Sequence, residues 1–156
     1  MDLRMAPLLV PHCDRLVESF RRWTGRELIA VSPSSIDVAQ RLFDAPFVLL
    51  SHGTETDPIL NYGNRMALAL WETTWERFTR MPSRLTAEPQ ARDERARALA
   101  DVMSRGYVDD YGGIRMTVNG RRFLIERAVV WSFVDRADRH WGQAARFDRW
   151  TYLDAC

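Results

Sequence analysis

The amino-acid sequence predicts a single α+β domain built on one antiparallel sheet. Its 156 residues lie within the usual size of one domain. Two short strand patterns precede residue 64, helical patterns fill residues 64–105, and three strand patterns joined by turns fill the last third. This order of a hairpin, a helical middle and an antiparallel meander is typical of the α+β class.

The first strand pair follows from a compact apolar run and the polar turn behind it. Residues 46–53, PFVLLSHG, are too few for a helix of average length and predict a buried strand. The polar turn at 54–57 separates this strand from its expected partner at 58–63, so the two form a hairpin. Asn64 directly precedes the helical pattern RMALALW and is expected to cap that helix.

The last three strands follow from alternation and from one strong turn signal. Asn119-Gly120 is the dipeptide most typical of a tight hairpin. In the strand after it, Phe123 and Trp131 share one apolar phase, which Arg127 interrupts. Two interpretations stay open for this arginine: a β-bulge at that position, or a charge used inside the protein.

Residues 12–29 predict an amphipathic helix at the N-terminal end. Leu16, Phe20 and Trp23 follow the i, i+4, i+7 spacing of one helix face. Gly25 is a suitable stop for the helix. An apolar stripe of this kind needs cover, either from the protein's own sheet or from another chain.

The charge composition excludes several classes of chemistry. The net charge is +1, so the bulk charge gives no reason to expect nucleic acid or an anionic membrane as a partner. All 22 basic residues are arginine. Without lysine there is no Schiff-base amine and no phosphate-loop lysine.

The two cysteines and the hydropathy pattern favour a cytoplasmic location. Cys13 and Cys156 have no CxxC or zinc-finger spacing, as is common in a reducing compartment. The apolar run at the N-terminus is too short for a secretory signal. No run approaches the roughly 18 apolar residues of a membrane span, so no membrane partner is expected.

Several long strings of the sequence resemble the MEKHLA domain, a family related to PAS domains. They include APFVLLSHGTETDPILNYGNRMAL, LWETTWERFTRMPSRLTAE and GRRFLIERAVVW, and the resemblance spans residues 19–150. It implies one domain over residues 1–156, with residues 12–29 as a flanking helix. The PAS-like core, residues 46–150, would be a five-stranded antiparallel sheet with helices on one face. The plant members carry a homeodomain and a leucine zipper; neither is recognisable in this sequence, so no direct nucleic-acid binding is expected.

The resemblance also implies a sensory or protein-interaction role without catalysis. PAS folds hold their ligands between the sheet and the central helices, and such sites are mostly apolar with a few polar groups. From the apolar phase of the strands and this fold, the expected pocket for a small apolar or flat ligand comprises Tyr62, Trp75, Arg84, Met103, Phe123, Trp131 and Gln143.

A small enzyme using the same pocket is the alternative. His52 and Asp110 are its candidate polar groups together with Tyr62, and Asn61 lies beside them in sequence. Ser51 and His52 are neighbours on a strand and should point to opposite faces, which argues against a catalytic dyad. No catalytic residue is therefore assigned.

No resident cofactor can be named from the sequence. The helical middle contains neither cysteine nor histidine, which argues against covalent flavin photochemistry and against a haem ligand. Three scattered histidines and two cysteines do not have the spacing of a metal site. The flanking helix and the resemblance to PAS domains together predict a homodimer, with Leu16, Phe20 and Trp23 at its interface.

Overall fold

The computed structural model describes residues 6–88 and 92–153, and it contains one antiparallel sheet between two layers of helices. The sheet order is β2-β1-β5-β4-β3. Strand β6 pairs with the first half of β4, and β5 pairs with the second half. The predicted α+β fold is confirmed, with the last predicted strand divided at Asp148 into two. The strands are β1 (Val48–His52), β2 (Leu60–Gly63), β3 (Tyr107–Met116), β4 (Arg122–Val134), β5 (His140–Phe147) and β6 (Arg149–Tyr152).

Five α-helices and one short 3-10 helix surround the sheet in the described ranges. They are α1 (Ala6–Thr24), α2 (Ser35–Phe43), α3 (Arg65–Trp71), α4 (Trp75–Phe78), the 3-10 helix Ser83–Thr86 and α5 (Arg92–Arg105). The predicted helix at 12–29 thus begins earlier, and it ends where Gly25 adopts a φ of 71°. None of these helices has the length and apolar character needed to cross a membrane.

Because successive side chains on a strand point to opposite faces, the sheet organises two separate apolar cores. One core lies under α1 and α2, where Leu49, Trp131 and Phe133 meet the two helices. The other lies under α3, α4 and α5, where Val48 and Val130 belong to the sheet side. The helices expected from the PAS resemblance form the second layer, and α1 covers the opposite face.

The apolar stripe of α1 is covered by the protein's own sheet. Leu16 and Phe20 are almost fully buried, and the Phe20 and Trp131 rings meet edge to face with centroids 5.0 Å apart. The Trp23 indole donates a hydrogen bond of 2.7 Å to the Ser132 carbonyl. The expectation that Leu16, Phe20 and Trp23 form a dimer interface is corrected by this placement, because their apolar surface is already used inside one chain.

Two compensating bulges shape the long β3–β4 ladder. Three steps along β3, from Val108 to Tyr111, lie opposite two steps of β4. Further along, two steps of β3 lie opposite three steps of β4, so β4 gains one residue there. The extra residues include Asp110, with a φ of 71°, and Arg127, with a φ of 54°, and both are exposed. Of the two interpretations of Arg127, the bulge is correct. Asp110 is the extra residue of the matching bulge on β3.

The bulge at Arg127 also changes which face each apolar residue occupies. A one-residue insertion moves every later side chain of a strand to the other face. Phe123 therefore belongs to the core under α3 and α5, whereas Trp131 belongs to the core under α1. The expectation that both rings line one pocket is wrong for this reason.

Asn64 is the residue that joins the two helical layers. Its side-chain oxygen accepts from Ala67 N at 3.0 Å, which is the predicted cap of α3, and from Leu49 N at 3.1 Å. Its amide nitrogen donates to Leu42 O at 3.1 Å and to Phe47 O at 2.8 Å. The fully buried amide thus ties the end of α2, strand β1 and the start of α3 to each other.

We expect Asn64→Ala to destabilise the protein by more than the ~0.5–2 kcal/mol that a cap alone contributes. The substitution removes all four hydrogen bonds of the buried amide, and each buried backbone group that is left without a partner costs about 1–3 kcal/mol. The measurement is urea unfolding beside Ser34→Ala, because Ser34 only caps α2 at an exposed position. Equal losses in the two variants would contradict the joining role of Asn64.

Phe20→Ala should cost about 3–5 kcal/mol, as for a buried aromatic ring. The oligomeric state of the folded variant should match that of the native protein, because Phe20 lies inside one chain. Thermal unfolding and sedimentation velocity measure the two quantities. Native stability combined with dissociation of a dimer would instead place Phe20 at an interface between chains.

Candidate functional site

A cavity of about 70 Å³ lies between the sheet and the layer formed by α3, the 3-10 helix and α5. Its wall is mainly apolar, with Leu50, Trp71, Leu99, Val102, Ile125 and Val130 among the lining residues. These side chains come from β1, β4 and two helices, so the cavity exists only when the layers are assembled. It occupies the place between sheet and central helices where the resemblance implied a ligand.

Two neutral polar side chains, His52 and Gln143, line this cavity as cross-strand partners on β1 and β5. His52 Nδ1 lies 3.0 Å from the Gly53 carbonyl, which can only accept, so Nδ1 carries the proton and Nε2 is an acceptor. Burial lowers the pKa of His52 and favours this neutral form. Gln143 Nε2 donates to Leu99 O at 2.9 Å. His52 Nε2 and Gln143 Oε1 are both buried without a partner among the described residues.

Two arginines, Arg95 of α5 and Arg115 of β3, are the charged residues among those that line the cavity in the described ranges. Arg95 Nη2 donates to Ser83 Oγ at 2.7 Å. Arg115 is 9% exposed, and its guanidinium donates to Tyr111 Oη at 2.5 Å and to the Ile114 carbonyl at 2.8 Å. Neither forms an ion pair within residues 6–88 and 92–153. Burial, followed by the nearby Arg115 charge, lowers the pKa of Arg95 to about 10.

Of the residues expected to form the pocket, Gln143 lines the cavity, and so does His52 from the expected polar site. Phe123 lies in the same core and meets Trp71 edge to face at 5.2 Å, but it is not part of the lining. Arg84 is exposed and pairs with Asp57 at 3.2 Å. Met103 is 56% exposed on α5.

The remaining expected residues lie on the other face of the sheet or at the surface. Tyr62 and Trp131 are fully buried in the core under α1, and Trp75 packs against that core with its ring 5.7 Å from Tyr62. Asn61 accepts from Ser51 Oγ at 2.6 Å. Since Asp110 is exposed at its bulge, the candidate catalytic groups His52, Tyr62 and Asp110 do not converge on one site.

Arg95 and Arg115 are the site residues that sequence reasoning missed. Arg95 lies in a run of alternating charge on α5, which is typical of a solvated helix face. Arg115 alternates with apolar neighbours on β3, which indicates a residue pointing to solvent. The bulge at Asp110 is what brings Tyr111 and Arg115 onto the cavity face, and no local pattern indicates it.

A second polar cluster lies under α1. His12 Nε2 is 2.9 Å from Ser51 Oγ, which in turn donates to Asn61. Ser51 and His52 point to opposite faces, as predicted. The His12 ring stacks on Tyr62 with centroids 5.7 Å apart and meets Phe133 edge to face. The cluster joins α1 to β1 and β2 through these contacts and so fastens the helix to the sheet.

The buried titratable groups of this cluster are held in their neutral forms. Burial, with a smaller contribution from Arg15, lowers the pKa of His12 to about 4. Burial raises the pKa of the Cys13 thiol to about 12, so Cys13 is unreactive as a nucleophile. In the part of the chain that the structure describes, no group of three or more histidine, cysteine, aspartate or glutamate side chains could hold a metal ion.

Solved structures with the same arrangement of sheet and helices are PAS and light-oxygen-voltage domains. A PAS domain from Colwellia psychrerythraea matches 72% of this chain and 94% of its own length, with a TM-score of 0.63 and 11% identity. The PAS domain of a LuxR-family regulator from Burkholderia thailandensis, solved in complex with ethanol, has a TM-score of 0.54 and 15% identity over 74% of this chain and 96% of its own. The light-state dimer of the fungal photoreceptor Vivid matches 85% of this chain and 90% of its own, with a TM-score of 0.58 and 12% identity. The fold is therefore that of a PAS domain.

The chain belongs to the MEKHLA domain family, whose model matches residues 10–152. Among curated proteins it is similar to the homeobox-leucine zipper protein HOX29 of Oryza sativa subsp. indica, with 25% identity over 123 residues. It is also similar to the homeobox-leucine zipper protein ATHB-9 of Arabidopsis thaliana, with 23% identity over 158 residues. These alignments cover 77% and 98% of this chain but only 14% and 19% of the plant proteins, so the chain spans a fifth or less of the relatives it matches.

We expect the free energy of unfolding to decrease as the pH falls from about 6.5 to about 4. The unfolded chain binds a proton on His12 below its ordinary pKa of 6.5, whereas the folded protein resists protonation until about pH 4. The contribution of His12 is complete above pH 6.5, and its loss is on the order of 3 kcal/mol.

Urea unfolding of the native protein and His12→Gln between pH 7.5 and pH 4 tests this expectation. The variant should show a smaller decrease in stability, because it has no imidazole to protonate there. His140→Gln is the comparison: burial lowers the pKa of His140 in the same direction, but its side chain is partly exposed at the start of β5, so this substitution should change the pH dependence less than His12→Gln does. The same pH dependence in the native protein and in His12→Gln would show that protonation of His12 does not cause the loss of stability at low pH.

Proposed function

We propose that this domain is a sensor that binds a small molecule in the cavity between the sheet and α3 and α5, without catalysing a reaction. The observation that carries the proposal is the pair of unpaired acceptors, His52 Nε2 and Gln143 Oε1, inside an apolar cavity. Buried polar atoms without partners are costly, and a ligand with a hydrogen-bond donor would remove that cost.

One structural neighbour supports the binding of a small molecule by a domain of this fold. The PAS domain of the Burkholderia thailandensis regulator was solved in complex with ethanol, so a domain of this build accommodates a very small organic molecule. Binding without catalysis is supported by the separation of the candidate catalytic groups. His52 faces the cavity, Tyr62 lies under α1, and Asp110 is exposed.

The output of such a sensor would be a change in contacts with another protein or with a second copy of the chain. Vivid, a structural neighbour, was solved as a light-state dimer. For this chain, self-association and a cytoplasmic location stay predictions. A surface other than the stripe of Leu16, Phe20 and Trp23 would have to mediate self-association.

Filling the cavity should abolish ligand binding without unfolding the protein. Ala98 lines the cavity from α5, so Ala98→Leu adds three carbon atoms to that space. Ala96→Leu makes the same change at an exposed position of the same helix and is the matched control. Native mass spectrometry of freshly purified protein should detect a small-molecule adduct on the native chain and on Ala96→Leu, and none on Ala98→Leu.

An adduct retained equally by all three proteins would place the binding site elsewhere. Native spectra without any adduct, together with no shift of the thermal midpoint across a library of small organic molecules, would contradict the sensor proposal. An interaction domain without a ligand would then be the better description.

A further inference from the structure

The two arginines of the cavity lack the anionic partner that several surface arginines of this protein have. Arg21, Arg65 and Arg84 each meet a carboxylate at 2.6–3.2 Å. Arg95 and Arg115 line one cavity together, and neither has an ion pair in the described ranges. The Asp57 carboxylate, which acts on Arg95 from a distance, is paired with Arg84. Two like charges therefore face the same small apolar space without compensation.

The hydrogen bonds of these guanidinium groups leave most of their donors unused. A guanidinium has five N–H donors in a planar fork. Arg95 uses one of them, on Ser83 Oγ, and Arg115 uses two, on Tyr111 Oη and the Ile114 carbonyl. A carboxylate matches the planar fork of arginine and accepts two of its hydrogen bonds at once. Because buried charges without partners are strongly unfavourable, an anion is the chemistry that this arrangement lacks.

The other unpaired atoms specify what the rest of the ligand carries. Among the described lining side chains, His52 Nε2, Gln143 Oε1 and Trp71 Nε1 are buried without a partner. The first two are acceptors, so the complementary group there is a hydroxyl or N–H donor, whereas the indole N–H is a donor that a carboxylate oxygen can accept from. His52 and Gln143 lie on β1 and β5, whereas Arg115 lies on β3, on the far side of β4 in the sheet order. Arg95 enters from the helix above. The wall between these polar groups is apolar, and the space is small.

We infer that the ligand is a small carboxylic acid with a short apolar body and one hydrogen-bond donor, for example a short-chain hydroxy acid. Arg95 and Arg115 bind the carboxylate, and the donor bonds to His52 and Gln143. This inference rests on the proposed sensor function and adds the chemical class of the ligand.

Three related probes separate the parts of this inference: 3-hydroxybutyrate, butyrate, which lacks the donor, and 1,3-butanediol, which replaces the carboxylate with a neutral group. Isothermal titration of the full chain should show at least tenfold tighter binding of 3-hydroxybutyrate than of 1,3-butanediol. Butyrate should bind more weakly than 3-hydroxybutyrate. Inorganic phosphate at equal concentration should not compete, because it has no apolar body.

Arg95→Met should abolish the discrimination between 3-hydroxybutyrate and 1,3-butanediol, and Arg97→Met should retain it. Arg97 is exposed two residues along the same helix, which makes it the matched control. Gln143→Met should reduce the preference for 3-hydroxybutyrate over butyrate. In the absence of ligand, the thermal midpoint of Arg95→Met should equal or exceed that of the native protein, because a buried like charge beside Arg115 is removed.

Equal affinity for 3-hydroxybutyrate and 1,3-butanediol would overturn the carboxylate assignment. Competition by phosphate, or unchanged discrimination in Arg95→Met, would also overturn it. If 1,3-butanediol binds and Ala98→Leu abolishes its binding, the sensor proposal stands and only the ligand class is wrong. If none of the probes binds at millimolar concentration and no adduct is retained, both proposals fall. A lower midpoint for ligand-free Arg95→Met would assign Arg95 a structural role instead.

Discussion

The two-layered structure depends on one buried amide, that of Asn64. It makes four hydrogen bonds to backbone groups of α2, the residues leading into β1, β1 itself and α3. The two helices belong to different faces of the sheet, so their relative position is fixed at the sheet edge by a single side chain. An apolar residue of the same size could not replace it, because it would make none of these four hydrogen bonds in a dry environment.

Buried polar residues have different surroundings on the two faces of the sheet. Under α1, aromatic rings and the His12–Ser51–Asn61 cluster fill the space, and the three polar side chains of that cluster bond to one another. Under α3 and α5, the packing leaves a cavity, and polar atoms point into it without partners. The proposed binding function is placed on the second face because hydrogen-bonding capacity and space occur there together.

Much of the fold follows from the sequence because local signals agree with the tertiary structure. Asn64 and Thr74 cap the helices that follow them, Gly25 ends α1, and Asn119-Gly120 lies at the β3–β4 hairpin. The candidate site was predicted only in part: Gln143 and His52 line the cavity, and the other expected residues do not. The bulge at Arg127 explains why Phe123 and Trp131 lie on different faces of the sheet. Arg84 and Met103 lie on helices, where only the packing of the layers decides which side chains face the cavity.

The sequence by itself determined the class of fold, the family, and the strands and helices, because caps, turns and alternation act over a few residues. Only the tertiary structure decided which face each side chain occupies. Paired bulges at Asp110 and Arg127 depend on the register of two strands, and register is a property of their pairing. The burial of Arg95 and Arg115 was decided in the same way, since both look like surface residues until α5 and the displaced half of β3 close over one cavity. The fastening of α1 to its own sheet likewise required contacts between residues more than 100 positions apart, such as Phe20 with Trp131.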